Sequence, residues 1–331
     1  MDVVLIPGDG IGKEISESVK RVSDALNCDI NWLEYKAGAE YFETSGKLLE
    51  DGLLEKIEAV KLALKGPTAT PIGKGFKSIN VYLRQSFNTY ANVRPVKSIN
   101  GVKSRYDDVD LVVIRENSED LYKGVEEMVD ENTAHSIKII TRKASERIIR
   151  YAFDYAKKNN RKKVTCVHKA NIMKLSDGLF LDIFNSVKDE YPDIESDSVI
   201  IDALCMKLVT DPSKFDVLVA PNLYGDIISD LCAGLVGGLG FAPSSNIGDN
   251  VRIYEAVHGS APDIAGKNIA NPTAILMAFA MLLNDNGMKD KADLLNKTIL
   301  DIYLDGQVVT KDVGGKATTS EFTDEIIRRI K

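Results

Sequence analysis

Short apolar runs alternate along this chain with longer stretches in which apolar residues recur at helical spacing. Residues 3–6, 110–114, 164–167 and 215–220 read as strands, being near-continuous apolar runs of the kind buried on both faces. Residues 60–64 form a further apolar run that ends at Lys65-Gly66-Pro67, and 136–140 alternate as a strand does. Helical periodicity covers 13–26, 48–59 and 144–158, the last with Ile148, Tyr151, Ala152 and Tyr155 on one face. Another helix begins near Ser176 or Asp177 and carries Leu179, Phe180 and Phe184, and one runs through Asp226, Ile227, Asp230 and Leu231. An apolar helix follows over 272–283. The last helix, over 320–330, is expected to be capped by Thr319 or Ser320, with Glu321 in its first turn. Strands alternating with helices define an α/β architecture.

Length and composition add limits. A chain of 331 residues is expected to form two lobes, with 99–248 as a central insertion into a larger lobe built from 1–98 and 249–331. Apolar content of 44% with 27% charged residues is ordinary for a globular protein. No uninterrupted apolar run reaches the roughly 18 residues of a membrane span, and the N-terminus lacks a basic region and cleavage site. Cys28, Cys166, Cys205 and Cys232 have no C-x-x-C spacing, so buried free thiols in a cytoplasmic protein are expected. A net charge of −7 argues against a nucleic-acid partner. Any anion site in such a chain must be built locally.

One segment suits that purpose. Ser78-Ile-Asn80-Val-Tyr-Leu-Arg84 and Tyr90-Ala-Asn-Val-Arg94-Pro95 place two arginines among apolar residues, either as a trap for a small anion or as surface charge. Asp226 and Asp230 lie one helical turn apart, either as oxygen ligands for a hard divalent cation or as a solvated face. Lys169 follows a strand, where an α/β protein has its ligand crevice, and is either a proton-handling base or a surface lysine. The adjacent His168 reads as structural. Arg115 and Tyr122 flank a polar segment that is either a crevice wall or a solvent loop. Gly8, Gly10 and Gly12 invite a dinucleotide-fold reading with Glu34 as the ribose acid. Their spacing is G-x-G-x-G, however, and a tight strand-to-helix turn explains it equally.

Taken together, several segments resemble the β-decarboxylating dehydrogenase family, which includes isocitrate, 3-isopropylmalate and homoisocitrate dehydrogenases. They are Ile6-Pro-Gly-Asp-Gly-Ile-Gly12, Ala91-Asn-Val-Arg-Pro95, Arg115-Glu-Asn-Ser-Glu-Asp120, Asn222 to Asp230 and His258 to Pro272. The resemblance implies a two-lobed α/β/α sandwich of the isocitrate/isopropylmalate dehydrogenase kind, with its nicotinamide cofactor bound outside a Rossmann fold. The glycines then belong to a turn near the site. The large lobe would bind cofactor; the small one would hold a dimer interface and a clasp-like arm around 123–140.

The resemblance also implies roles. Arg84, Arg94 and Arg115 would hold substrate carboxylates, with Asn171 nearby. Asp226 and Asp230, with Asp202 from the partner of a homodimer, would surround Mg²⁺ or Mn²⁺. Lys169 would reach across the same interface to take the hydroxyl proton, and Tyr122 would protonate the product. Thr70, His258, Gly259, Ser260, Ala261, Asp263, Ile264 and Asn271 would bind the cofactor, with Asp263 suited to the ribose hydroxyls of NAD. Ser78 and Asn80 resemble the isocitrate pattern, so isocitrate is the expected substrate. Homoisocitrate, one methylene longer, is the alternative, and a non-catalytic regulatory or metabolite-binding subunit is the reading from another class. Replacing Asp263→Lys together with Ile264→Tyr is expected to lower the preference for NAD over NADP; an unchanged ratio of kcat/KM values would remove Asp263 from this role.

Overall fold

Apolar runs without polar alternation become strands covered on both faces. The structure, a computed structural model, describes residues 1–69 and 78–331. The chain divides into two compact units. Met1–Phe87, Ser98–Asp107 and Val236–Lys331 form the first; Asn88–Lys97 and Asp108–Leu235 form the second. The second unit takes in residues 88–97, which lie outside the expected small lobe, because β4 (Ala91–Lys97) pairs antiparallel with β5 (Asp110–Glu116).

In the first unit the strand order is β2 (Asn31–Glu34), β1 (Asp2–Ile6), β3 (Leu62–Lys65), β12 (Arg252–Ala256) and β11 (Pro243–Ile247). All run parallel except β11, which is antiparallel to β12. Successive residues of β1 serve opposite faces. Val3 and Leu5 pack with α1 (Gly12–Ala25), α9 (Thr273–Asp285), α10 (Lys289–Asp305) and α11 (Thr319–Ile330) through Ile15, Val19, Phe279, Leu295 and Phe322. Val4 and Ile6 pack with α3 (Leu53–Val60) and α4 (Ile79–Ser86) through Leu53, Ile57, Ile79 and Leu83. The short α2 (Ala39–Ser45) follows β2.

In the second unit the order is β4, β5, β10 (Val217–Ala220), β8 (Lys163–His168) and β9 (Glu195–Ile200), parallel from β5 onward. Helix α5 (Arg142–Lys158) buries Ile148, Ile149, Ala152 and Phe153, and Phe153 stacks on Phe184 of α6 (Ser176–Val187). Helices α7 (Ile201–Thr210) and α8 (Asn222–Leu235) complete the unit. A separate ribbon joins β6 (Glu126–Asp130) to β7 (Thr133–Ser136), with every residue of both strands exposed.

Three expectations are corrected. The helix expected from residue 48 begins at Leu53. Residues 48–50 instead pair with the chain ahead of α2, Gly38 N–H donating to Leu48 O at 3.0 Å and Glu50 N–H to Lys36 O at 3.0 Å. The strand expected over 136–140 ends at Ser136; Ile139 O beyond it accepts from Asp120 N–H at 2.9 Å, so this stretch turns toward the loop before Tyr122. Finally, α11 is capped by Thr318, one residue earlier than expected. Its hydroxyl accepts from Glu321 N–H at 3.2 Å, and the Glu321 carboxylate accepts from Thr318 N–H at 2.8 Å. Cys28, Cys166 and Cys232 are buried free thiols as expected, whereas Cys205 is only partly buried. No described helix is long and apolar enough to cross a membrane. Replacing Thr318 with Ala removes one half of this reciprocal cap and is expected to lower unfolding free energy by about 1 kcal/mol, read from the denaturant midpoint.

Candidate active site

Parallel strands gather their carboxyl ends along one edge, and loops leaving that edge are where α/β proteins hold ligands. In the second unit β5 ends on Arg115 and Glu116, β8 runs into Lys169, and β10 leads into α8. Arg115 is almost completely enclosed, at 1% exposure. A guanidinium cannot shed its charge, so acceptors must surround it. Its Nε donates to Asn222 O and Oδ1, both at 3.0 Å, one Nη to Asn222 Oδ1 at 2.8 Å, and the other to Asp226 Oδ1. Gly225 makes this approach feasible, since a Cβ there would stand 2.5 Å from Arg115 Cγ.

Arg94 approaches the same helix from β4. It donates to Asn92 Oδ1 and Ser229 Oγ, both at 2.6 Å, and to Asp230 Oδ1 at 3.3 Å, and lies 3.6 Å from Asp226 Oδ1. The like charges of Asp226 and Asp230 are thus balanced by two arginines. The Tyr122 hydroxyl donates to Asp226 Oδ2, and its ring lies 4.9 Å from the Arg115 guanidinium. Burial, then the hydrogen bond to Asp226, raises the Tyr122 pKa, so the phenol keeps its proton.

Lys169 Nζ pairs with Asp202 at the start of α7, and this bond lowers the Asp202 pKa. Asn171 is exposed in the turn beyond. Among the described residues no three His, Cys, Asp or Glu gather into a metal-holding group, so the chain brings Asp202 to Lys169 and not to Asp226 and Asp230. Those two remain partly accessible, at 34% and 57% side-chain exposure. As paired hard oxygen donors they fit Mg²⁺ or Mn²⁺, ions that take one or two carboxylates and fill the remaining positions with substrate oxygens and water.

The first unit repeats the arrangement. Strand β1 leads into the glycine turn, β3 ends on Lys65, and β12 runs through Glu255 toward His258. Gly10 has φ +56° and Ile11 N–H donates to Ser260 O at 2.9 Å; a Cβ on Gly10 would stand 2.1 Å from that oxygen. The turn therefore abuts the segment His258, Gly259, Ser260 and Ala261. His258 Nε2 is buried without a hydrogen-bond partner among the described residues, an orphan that suits a ligand bound along this segment. Asp263 is exposed and Ile264 partly buried. The Asn271 side chain is held by Tyr303, Asp312 and Thr273. Thr70 lies outside the described residues.

Ser78 is exposed and precedes α4, and Asn80 Oδ1 accepts from Thr68 at 3.3 Å. Arg84 is nearly buried, with Nε donating to Asn246 Oδ1 at 3.1 Å and an Nη 3.4 Å from Glu255 Oε1. Glu255 also pairs with Lys65 at 2.9 Å and accepts from Asn246 at 2.7 Å. In the sequence Lys65 closes an apolar run and Glu255 carries no motif signal, so neither marks this network. The available signal was a charged residue at the end of each of two buried strands. Asn222, which holds Arg115, was likewise passed over as a flank.

The family model for isocitrate/isopropylmalate dehydrogenase matches residues 2–326, and the chain belongs to this family. It has the family's α/β fold and is an enzyme, an oxidoreductase. It is 53% identical over 97% of its length to catalytic subunit 5 of mitochondrial isocitrate dehydrogenase [NAD] from Arabidopsis thaliana, covering 86% of that protein. It is 52% identical over 99% of its length to a regulatory subunit of mitochondrial isocitrate dehydrogenase [NAD] from Dictyostelium discoideum, covering 91%. The crystal structure of isocitrate dehydrogenase from Methylococcus capsulatus matches with a TM-score of 0.96 at 48% identity, over 99% of each chain.

These relatives correct two expectations. The protein was expected to be cytoplasmic, yet the curated relatives are named mitochondrial. A homodimer was expected from shared-site chemistry, yet relatives are named as regulatory, catalytic and alpha subunits, the vocabulary of a heteromeric assembly. Neither location nor subunit composition follows from the residues of the site, because both are set by surfaces and signals outside it.

Glu255 carries a stability prediction. Burial alone would raise its pKa, but the charges of Lys65 and Arg84, aided by hydrogen bonds from Lys65 and Asn246, hold it down to about 2. Its contribution is therefore complete above the ordinary carboxylate range and is lost as pH falls through about 2. Glu255→Gln is expected to cost on the order of 3 kcal/mol at pH 7, with the gap from wild type shrinking as acid protonates Glu255. Urea unfolding across the acid range measures this, and a gap independent of pH would contradict it.

Proposed function

We propose that the chain catalyses NAD-dependent oxidative decarboxylation of isocitrate to 2-oxoglutarate and CO₂ with Mg²⁺ or Mn²⁺. The observation that carries the reading is the meeting of Arg94, Arg115 and Tyr122 on Asp226 and Asp230. When bound, the cation supplies a Lewis acid for the substrate's 2-hydroxyl and NAD supplies the hydride acceptor.

The chain's own residues do the rest. Arg94 and Arg115 hold substrate carboxylates, and Asp226 and Asp230 would hold the cation. Lys169 takes the hydroxyl proton, with Asp202 steadying its ammonium form. Tyr122, still protonated, returns a proton to the carbon that loses CO₂. Ser78, Asn80 and Arg84 take the third carboxylate, for which hydroxyl, amide and guanidinium donors are suited and an isopropyl group is not. His258, Gly259, Ser260, Ala261, Asp263, Ile264 and Asn271 bind NAD, the exposed Asp263 carboxylate accepting from ribose hydroxyls.

A second reading, a non-catalytic regulatory subunit, is favoured by the regulatory name of the Dictyostelium discoideum relative. Homoisocitrate remains the competing substrate, because one methylene changes binding by only about 1–3 kcal/mol. Values of kcat/KM for isocitrate, homoisocitrate and 3-isopropylmalate, each with NAD and NADP, test all three. Isocitrate with NAD is expected to lead, with 3-isopropylmalate lower by about 10⁴-fold because polar groups would be left unpaired. A higher value for homoisocitrate overturns the substrate, and binding of isocitrate without NADH formation overturns catalysis.

A further inference from the structure

Lys138 lies just beyond the β6–β7 ribbon, yet its side chain is only 12% exposed. Its ammonium stands 2.8 Å from Asp177 Oδ1 and 3.7 Å from Asp120 Oδ1, and 4.1 Å from the centre of the Tyr224 ring. Both carboxylates are fully buried. Buried acids are retained only with close positive or donor partners, so this one lysine supports two of them.

Each carboxylate holds a piece of the reaction machinery through the backbone. Asp177, in the first turn of α6, accepts from Lys169 N–H at 2.7 Å through its other oxygen, fixing the turn that presents Lys169. Asp120 stands two residues before Tyr122. It accepts from Leu223 N–H at 2.9 Å, capping the first turn of α8, the helix that carries Asp226 and Asp230. Asp120 also has φ +69°, a left-handed conformation that needs surrounding contacts to persist. One such contact comes from the lysine's own segment, where Ile139 O accepts from Asp120 N–H at 2.9 Å.

We propose that Lys138 is a positioning residue, whose ammonium ties the turn bearing Lys169 to the loop bearing Tyr122. This rests on the reaction proposed above. Lys138 lies outside the grips on substrate carboxylates: Arg94 and Arg115 are fixed by Asn92, Ser229 and Asn222. Loss of Lys138 should therefore disturb turnover and leave substrate affinity nearly intact.

The test is Lys138→Met in the full chain, assayed for NADH formation from isocitrate with NAD and Mn²⁺. The expected result is a fall in kcat of about 10²-fold, the scale of a small misplacement of reacting groups. KM for isocitrate should stay within about twofold of wild type, and Lys138→Arg, which keeps the charge, should recover part of the loss. A folded Lys138→Met variant with wild-type kcat, or one whose loss lies in KM, overturns the proposal. If the methionine variant does not fold, Lys138→Gln, which retains an N–H donor for Asp177, is judged by the same criteria. Wild-type turnover measured alongside separates the two claims. Its absence fails the proposed reaction and the positioning role together, whereas normal wild-type turnover with an unaffected variant fails the role of Lys138 alone.

Discussion

A buried arginine cannot neutralise itself, and the second unit is arranged around that constraint. Arg115 lies near the end of a strand that is enclosed on all sides, so its five donors require acceptors brought from elsewhere in the chain. Helix α8 provides them through Asn222 and Asp226, and Gly225 lets the helix come close enough. Once α8 lies there, Asp230 reaches Arg94, and Tyr122 closes on Asp226. Replacing Asp226 would leave the enclosed Arg115 short of an acceptor, a costly loss in a protein interior.

The first unit solves a similar problem around an acid. Glu255 is buried and stays ionised because Lys65 and Arg84 stand on either side, one ending β3 and the other on α4. The same network orients Arg84 through Asn246. Charges at the carboxyl ends of parallel strands are therefore held in place by partners within the chain, and fixed charges of this kind are what make electrostatic stabilisation effective in catalysis. Relatives bearing catalytic and regulatory names share about half their residues with this chain. Fold and assembly alone would therefore not separate the two functions. The identity and spacing of these charged groups bear on that distinction more directly.

Much of the fold was legible because parallel strands covered on both faces write themselves as unbroken apolar runs. Val3 to Ile6 and Leu111 to Ile114 show this directly. Strands β2 and β11 were not legible, since Asn31-Trp-Leu-Glu34 and Pro243-Ser-Ser-Asn-Ile247 carry too few apolar residues to signal a strand and are placed by their neighbours. The alternation at 136–140 misled because Lys138 turns inward to an ion pair, a reason that periodicity does not contain. Arg84, Arg94, Arg115, Tyr122, Lys169, Asp226 and Asp230 stood out by residue type and motif, whereas nothing local gave Glu255, Asn222, Asp177 or Asp120 a role.

By itself, the sequence determined the α/β class, the principal buried strands, the family and the residue types able to grip carboxylates and a hard cation. These follow from local periodicity and from side-chain chemistry, which travel with the chain. Only the tertiary structure decided which charge meets which. Arg115 finds Asp226 across 111 positions and Arg84 finds Glu255 across 171, because strand order and not chain order sets which ends are neighbours. Within its own chain Asp202 lies against Lys169 and not beside Asp226 and Asp230. A buried charge takes the partner that the sheet places nearest, and that choice is made only after the chain has folded.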